Sequence, residues 1–198
     1  MLSIVPHFFG MVFKLFGIKV EVTGFENLDP NKAYLIVCNH QSFLDIPIVI
    51  RYIRIVAFLA KIEISKWPLF GYGLRQADCV FVDRKDRRSA KKVGPAMLSK
   101  MKEKVSFCVF PEGTRSKKGE LLPFKAGIFK IAMESGFEIL PAVIVDTWKI
   151  LPKKSFALTS GTIHLKIMPP VSADKYEKPI ELKDKVESIF KESLSFSH

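Results

Sequence analysis

The chain has 198 residues, of which 48% are hydrophobic and 26% charged, enough to bury the core of one ordinary globular domain. This composition excludes a disordered tail, a collagen-like repeat and a small disulfide-stapled protein. The 31 Lys and Arg against 20 Asp and Glu give a net charge of +11, which predicts attraction to nucleic acid, anionic lipid or a phosphorylated small molecule. Seventeen Phe beside only four Tyr favour a membrane surface among these.

The amino-terminal segment is apolar, but a proline, a histidine, a glycine and a lysine interrupt it. It therefore falls short of the ~18 apolar residues that a spanning helix needs. It has neither a basic leader nor a small-residue cleavage site, which argues against a signal peptide. We expect residues 1–17 to form an amphipathic helix in a membrane interface; the alternative is a helix packed on the protein's own core. The anchoring side chains would be Phe8, Phe9, Met11, Val12, Phe13 and Phe16, with Lys14 and Lys19 beside them.

Residues 18–198 show no linker and no internal repeat, so they are predicted to form one domain. Short runs rich in β-branched and aromatic residues predict seven strands, at 18–22, 33–38, 55–59, 79–82, 105–110, 139–145 and 162–167. Segments with helical spacing or composition predict helices at 42–54, 68–75, 87–102, 125–135 and 180–193. This alternation predicts an α/β fold, with a mostly parallel or mixed sheet covered by helices.

The three cysteines, Cys38, Cys79 and Cys108, each lie in or beside an apolar run. We interpret them as buried, reduced thiols. They lack the short spacing typical of zinc ligands, so no metal site is expected. One alternative is that Cys38 acts as a nucleophile beside His40.

The positive charge is concentrated between residues 84 and 118, which hold twelve Lys and Arg and three acids. An electropositive region is therefore expected around this part of the chain. The alternative is a solvated helix face, which would account for Lys91, Lys92, Lys100, Lys102 and Lys104 without any function.

A first candidate motif, Asn39-His40-Gln41-Ser42-x-x-Asp45, follows an apolar strand and opens a predicted helix. Ligands of open α/β sheets collect at the carboxyl ends of strands. Asp45 lies about one turn beyond His40, where its carboxylate can hold the imidazole with the second ring nitrogen free as a base. The alternative is an ordinary surface pair.

A second candidate motif runs from Phe110 to Ser116 after another predicted strand and reads Phe-Pro-Glu-Gly-Thr-Arg-Ser. Arg115 suits bidentate capture of a phosphate, and Gly113 lets the backbone approach it. Glu112 would repel a phosphate, so we expect it to bond an arginine or a ligand hydroxyl; the alternative is a loop salt bridge. Arg84 follows a third strand end, and convergence of the three loops would join a base to a phosphate clamp.

These motifs resemble the first and third signature blocks of the glycerolipid acyltransferases, most closely the 1-acylglycerol-3-phosphate acyltransferases. Residues 81–84 resemble the second block and residues 139–143 the fourth, so the resemblance covers about residues 20 to 145. It implies that His40 is the general base and that Asp45 orients it, without an acyl-enzyme intermediate. It also implies an acceptor site for a glycerol phosphate formed by Arg84, Glu112, Gly113, Thr114 and Arg115.

The reaction implied by this resemblance is transfer of a fatty acyl group from acyl-CoA or acyl-carrier protein to the sn-2 hydroxyl of a 1-acylglycerol 3-phosphate, lysophosphatidate. An already activated thioester requires no metal or cofactor. The enzyme would associate peripherally or monotopically with an anionic phospholipid membrane, at the cytoplasmic face of the cell membrane. Other lysolipids or glycerol 3-phosphate are alternative acceptors. A non-enzymatic module that binds anionic lipid or nucleic acid is a different class of function; because residues 84–104 contain no aromatic side chain among their cations, nucleic acid is not expected as a partner.

Overall fold

The computed structural model describes residues 4–53, 56–66, 79–83, 86–155 and 157–195. Within these residues, seven β-strands lie at β1 Ile18–Thr23, β2 Leu35–Cys38, β3 Val56–Lys61, β4 Val80–Val82, β5 Ser106–Val109, β6 Ile139–Val145 and β7 Gly161–Ile167. The α-helices of the described residues are α1 Ile4–Leu15, α2 Asp45–Tyr52, α3 Arg87–Lys102, α4 Gly127–Ser135, α5 Thr147–Ile150 and α6 Pro179–Ser195. All seven predicted strands are confirmed, whereas the helix predicted at 68–75 lies outside the described residues.

The strands form one mixed sheet in the order β1-β7-β6-β2-β5-β3-β4. Five neighbouring strands, from β6 to β4, run parallel, and β7 and β1 run in the opposite direction. Every residue of β2, β5 and β6 is buried, as expected for central strands covered on both faces. The predicted α/β fold is therefore confirmed.

Alternate residues of the central strands supply two cores, one on each face of the sheet. Ile36 and Cys38 of β2 pack beneath α1 and α2. Leu35 and Val37 pack beneath α3, α4 and α6 on the opposite face. The chain thus leaves β2 toward one face, into α2, and leaves β5 toward the other, into α4. This divergence makes the carboxyl ends of β2 and β5 a topological switch point, where α/β sheets form the crevice that binds their ligands.

The amino-terminal helix α1 has apolar side chains on two faces. Phe13 is buried in the core, with Phe9 packed against it, whereas Phe8 and Met11 are exposed. Phe13 is therefore a core residue, although the sequence placed it among the anchoring side chains. In the part of the chain that the structure describes, no helix is both long and apolar enough to cross a membrane.

Candidate active site

The turn after β2 places His40 and Asp45 together at the carboxyl edge of the sheet. His40 Nδ1 lies 2.7 Å from Asp45 Oδ2. The same oxygen accepts the backbone N–H groups of Gln41 and Ser42, each at 2.8 Å. Asp45 is fully buried, and a buried carboxylate surrounded by donors stays an acceptor. His40 Nδ1 must therefore carry a proton and donate it to Asp45. In the neutral imidazole, Nε2 then carries no proton and can accept one.

The ring of His40 is held in place but remains accessible. It stacks on the Phe110 ring with centroids 4.1 Å apart, and 16% of its side chain is exposed. Within the described residues no group hydrogen-bonds to Nε2. This atom is available to a ligand entering the crevice between β2 and β5.

Asn39 fixes the start of the turn. Its amide donates to the carbonyl of Ile144 and accepts the N–H of the same residue, both at 2.8 Å. The side chain thus continues the pairing of β2 with β6 beyond the last strand residue, Cys38, and directs the chain out of the sheet at His40.

The side chain of Glu112 connects the two motifs by accepting hydrogen bonds from main-chain amides. Its Oε1 accepts the N–H of His40 at 2.7 Å, and its Oε2 accepts the N–H of Leu122 at 3.0 Å. The residue is 5% exposed, and burial raises the pKa of its carboxyl to about 7 against the opposing effect of the two amide bonds. The carbonyl of His40 in turn accepts the N–H of Ser116 at 2.8 Å. Both backbone groups of His40 are therefore held by the second motif, whereas the sequence predicted an arginine or a ligand hydroxyl as the partner of Glu112.

The loop after Glu112 presents polar and cationic groups to the same crevice. Gly113 has a φ of +73°, a conformation that favours glycine, and an added Cβ would lie only 2.7 Å from Lys125 Nζ. Thr114 is exposed, and its hydroxyl accepts a hydrogen bond from Lys153 at 3.3 Å. Lys153 also donates to the carbonyl of Arg115 and so braces the loop.

Arg115 lies against an aromatic side chain, Phe43, that was not among the predicted site residues. Its guanidinium carbon sits 3.7 Å from the centroid of Phe43, which is 53% exposed. Burial lowers the pKa of Arg115, and the charge of Asp45 opposes this shift. A guanidinium is so weak an acid that arginine side chains stay cationic in proteins. In the sequence, only the position of Phe43 within the first motif pointed to a role in the site. Its contact with Arg115 depends on the tertiary fold and leaves no local pattern.

Direct hydrogen bonds thus join His40 to Asp45 and to Glu112. Gly113 and Thr114 follow Glu112 in the same loop, and the side chain of Arg115 reaches the first motif by stacking on Phe43. Arg84 lies outside the described residues. Cys38 is fully buried, with its sulfur 3.6 Å from that of Cys108, which is at odds with a nucleophilic role for its thiol. Burial also raises the pKa of the Cys108 thiol well above its ordinary value.

Comparison with known proteins identifies the family to which this chain belongs. The acyltransferase family model matches residues 19–145. The chain is 34% identical over 163 residues to human 1-acyl-sn-glycerol-3-phosphate acyltransferase alpha, and 35% identical over 159 residues to the chloroplastic enzyme BAT2 of Brassica napus. These matches cover 81% and 79% of the chain but only 57% and 46% of the relatives, so the chain spans about half of their length.

A solved structure extends the likeness to almost the whole chain. The crystal structure of the 1-acyl-sn-glycerophosphate acyltransferase PlsC from Thermotoga maritima superposes with a TM-score of 0.88 and 34% sequence identity. The match covers 98% of this chain and 78% of that one. The chain belongs to the acyltransferase family.

Proposed function

We propose that the protein transfers a fatty acyl group from a thioester, acyl-CoA or acyl-carrier protein, to the sn-2 hydroxyl of a 1-acylglycerol 3-phosphate. The product is phosphatidic acid. The observation that carries the proposal is the pair of His40 and Asp45, which leaves Nε2 of His40 free at the sheet edge beside the Arg115 loop. Family membership and the names of the relatives support the same acceptor.

In the proposed mechanism, Nε2 of His40 removes the proton of the acceptor hydroxyl while the oxygen attacks the thioester carbonyl. A carbon–oxygen bond forms, the carbon–sulfur bond breaks, and the leaving sulfur takes the proton back from the imidazolium. Asp45 stabilises the imidazolium and keeps its orientation. A thioester is already activated toward attack, so the mechanism uses no metal or cofactor and forms no acyl-enzyme.

The acceptor phosphate would bind to the loop that contains Gly113, Thr114 and Arg115. A guanidinium offers two parallel donors to phosphate oxygens, and the exposed Thr114 hydroxyl adds a third group. Arg84, which follows β4 in the sequence, is proposed to bind the same phosphate. We assign Glu112 to this site as the residue that holds the loop against His40, because both of its oxygens bind main-chain amides.

The acceptor and product are lipids, so we propose that the enzyme works on an anionic membrane as a peripheral or monotopic protein, at the cytoplasmic face. Exposed apolar side chains of the described residues concentrate at the amino terminus. Those between residues 5 and 16 are Val5, Phe8, Met11, Leu15 and Phe16. Exposed Lys14 and Lys19 adjoin them and would meet anionic headgroups.

The test is thiol release by the purified full chain in mixed micelles with both thioester donors. The acceptors are 1-acylglycerol 3-phosphate, glycerol 3-phosphate and a lysolipid without a phosphomonoester. We expect turnover with the first acceptor and its loss in His40→Ala. His164→Ala is the matched control. His164 lies on β7, two strands from β2, and its side chain pairs with Glu21 on β1. Near-normal turnover in His40→Ala would overturn the mechanism, and preference for another acceptor would overturn the substrate.

A further inference from the structure

We infer that Thr147 is a positioning residue of this site, whose hydroxyl holds the Asp45 carboxylate and through it the base His40. The inference rests on the proposed acyl transfer. Thr147 is fully buried, and its Oγ1 lies 2.6 Å from Asp45 Oδ1. The two residues are 102 positions apart in the chain. Thr147 also lies two residues beyond the segment that the family model matches.

The direction of this hydrogen bond follows from its neighbours. Thr147 has one hydroxyl proton, and two acceptors face it, Asp45 Oδ1 at 2.6 Å and Gln41 Oε1 at 3.4 Å. The orientation of the Gln41 amide is set by its nitrogen, which donates to the carbonyl of Gly119. Because the carboxylate is both nearer and charged, it receives the proton. Thr147 therefore donates to Asp45.

The fold holds Thr147 in place at the corner after β6. Asp146 takes a left-handed conformation with a φ of +72°, which turns the chain directly into the short helix α5. At the other end of α5, the carbonyl of Leu151 accepts the hydroxyl of Ser42 at 2.7 Å. Helix α5 thus contacts the catalytic turn at both ends, once through Thr147 and once through Leu151.

The hydroxyl completes the set of donors around Asp45. Oδ2 already accepts three hydrogen bonds, from His40 and from two backbone amides, and Thr147 supplies the bond to Oδ1. A donor stabilises the pair more when the imidazole is neutral, since the pair then carries a net negative charge. Removal of the hydroxyl favours the protonated imidazole, so less free base is present at low pH. The acid side of the pH profile must then move to higher pH. Within the described residues, the other charged groups beside this pair are Glu112, which accepts the His40 N–H, and Arg115, and both are present in every Thr147 variant.

The experiment compares Thr147→Val, which is nearly isosteric but lacks the hydroxyl, with Thr147→Ser, which retains it. We expect Thr147→Val to lower kcat about 10- to 100-fold at neutral pH, as for loss of a hydrogen bond to a charged group. The acid-side midpoint of its kcat/KM profile should rise, while KM for both substrates changes little. Thr147→Ser should restore the rate to within about threefold and the midpoint to its original pH. Thr147→Ala is measured in parallel, because it also lacks the hydroxyl but adds no methyl group at its position. Equal effects of the Ala and Val variants then exclude a poor fit of the valine methyl as the cause.

Melting temperatures separate positioning from plain destabilisation. If Val and Ser variants lose activity only in proportion to their melting temperatures, or if Thr147→Val keeps the normal rate and profile, the inference is overturned. A second readout does not depend on acyl transfer: the downfield proton resonance of His40 Nδ1–H, assigned by its absence in His40→Ala. We expect this resonance to move further downfield in Thr147→Val and to return in Thr147→Ser. Should the unmodified protein transfer no acyl group, the proposed function fails, and the resonance alone still decides the role of Thr147.

Discussion

His40 Nδ1 and Asp45 Oδ2 are 2.7 Å apart, and the carboxylate oxygen that meets the imidazole also accepts two backbone amides of the same turn. One oxygen therefore shapes the turn and orients the base. Asp45→Asn separates these tasks, because an amide oxygen at this position still accepts the donors while the negative charge is lost. We expect kcat to fall about 10²- to 10⁴-fold, since the imidazolium is no longer stabilised.

Thiol release measures the rate of Asp45→Asn, and thermal unfolding checks that its fold survives. Asp174→Asn is the control, because Asp174 is exposed and bonds only locally to Ser172. Turnover of Asp45→Asn within a few-fold of the unmodified enzyme would show that the charge of Asp45 is dispensable.

The stacking of Arg115 on Phe43 leads to a prediction about acceptor affinity. Phe43→Leu keeps the apolar bulk but removes the aromatic face that restrains the guanidinium, a contact worth about 0.5–2 kcal/mol. We expect KM for the phosphorylated acceptor to rise several-fold, with little change in kcat or in KM for the thioester. In the Arg115→Gln background, Phe43→Leu should have no further effect, because the partner is already gone.

Phe25→Leu provides the matched control for Phe43→Leu, since Phe25 is similarly exposed at 48% but lies in the turn after β1. Steady-state kinetics on the four combinations of Phe43 and Arg115 measure the coupling. Equal effects of Phe43→Leu with and without Arg115 would show that the two side chains act independently.

Much of the fold was predictable because its signals are local. The central strands are continuous apolar runs, so the boundaries of β6 were predicted to the residue at 139–145. The five-residue spacing of His40 and Asp45 predicted their contact, which the structure shows. Helix α2 begins at Asp45 rather than at residue 42, because the turn before it is folded around the Asp45 carboxylate.

Other parts of the site depend on contacts between distant segments and left no local signal. Thr147 reaches Asp45 only because β6 lies beside β2 in the sheet. Glu112 was predicted to bond an arginine or a ligand hydroxyl, since an unpaired carboxylate would repel a phosphate. The second motif instead folds back over His40 and buries this carboxylate among main-chain amides.

Burial of Glu112 predicts how stability depends on pH. The pKa of this carboxyl rises from its ordinary value of 4.5 to about 7 because burial penalises the charged form. Between these pH values the folded state binds more protons at Glu112 than the unfolded state, so the free energy of unfolding falls as pH rises. The contribution is fully present below pH 4.5 and is lost by about pH 7, a change on the order of 3 kcal/mol.

Glu112→Gln removes this titration. We measure the free energy of unfolding of this variant and of the unmodified protein by urea denaturation between pH 4.5 and 7. The value for the variant minus the value for the unmodified protein should increase with pH. Loss of the carboxylate acceptor adds a constant to this difference and does not change its slope. Glu120→Gln is the control from the same loop, because hydrogen bonds from the Lys118 and Lys117 amides lower the pKa of Glu120. Parallel curves for Glu112→Gln and the unmodified protein across this window would contradict the prediction.

The exposed apolar face of α1 predicts membrane binding that is separable from folding. Phe8 and Met11 are 52% and 63% exposed, so Phe8→Ser with Met11→Ser should change stability by no more than about 1 kcal/mol. The same double substitution should weaken binding to vesicles of phosphatidylglycerol and phosphatidylcholine at least about tenfold, since both side chains would leave the lipid. Ile180→Ser is the control, because Ile180 is 47% exposed on α6, on the opposite face of the sheet. Vesicle co-sedimentation measures the binding, and equal binding by the double variant and Ile180→Ser would rule out α1 as the membrane contact.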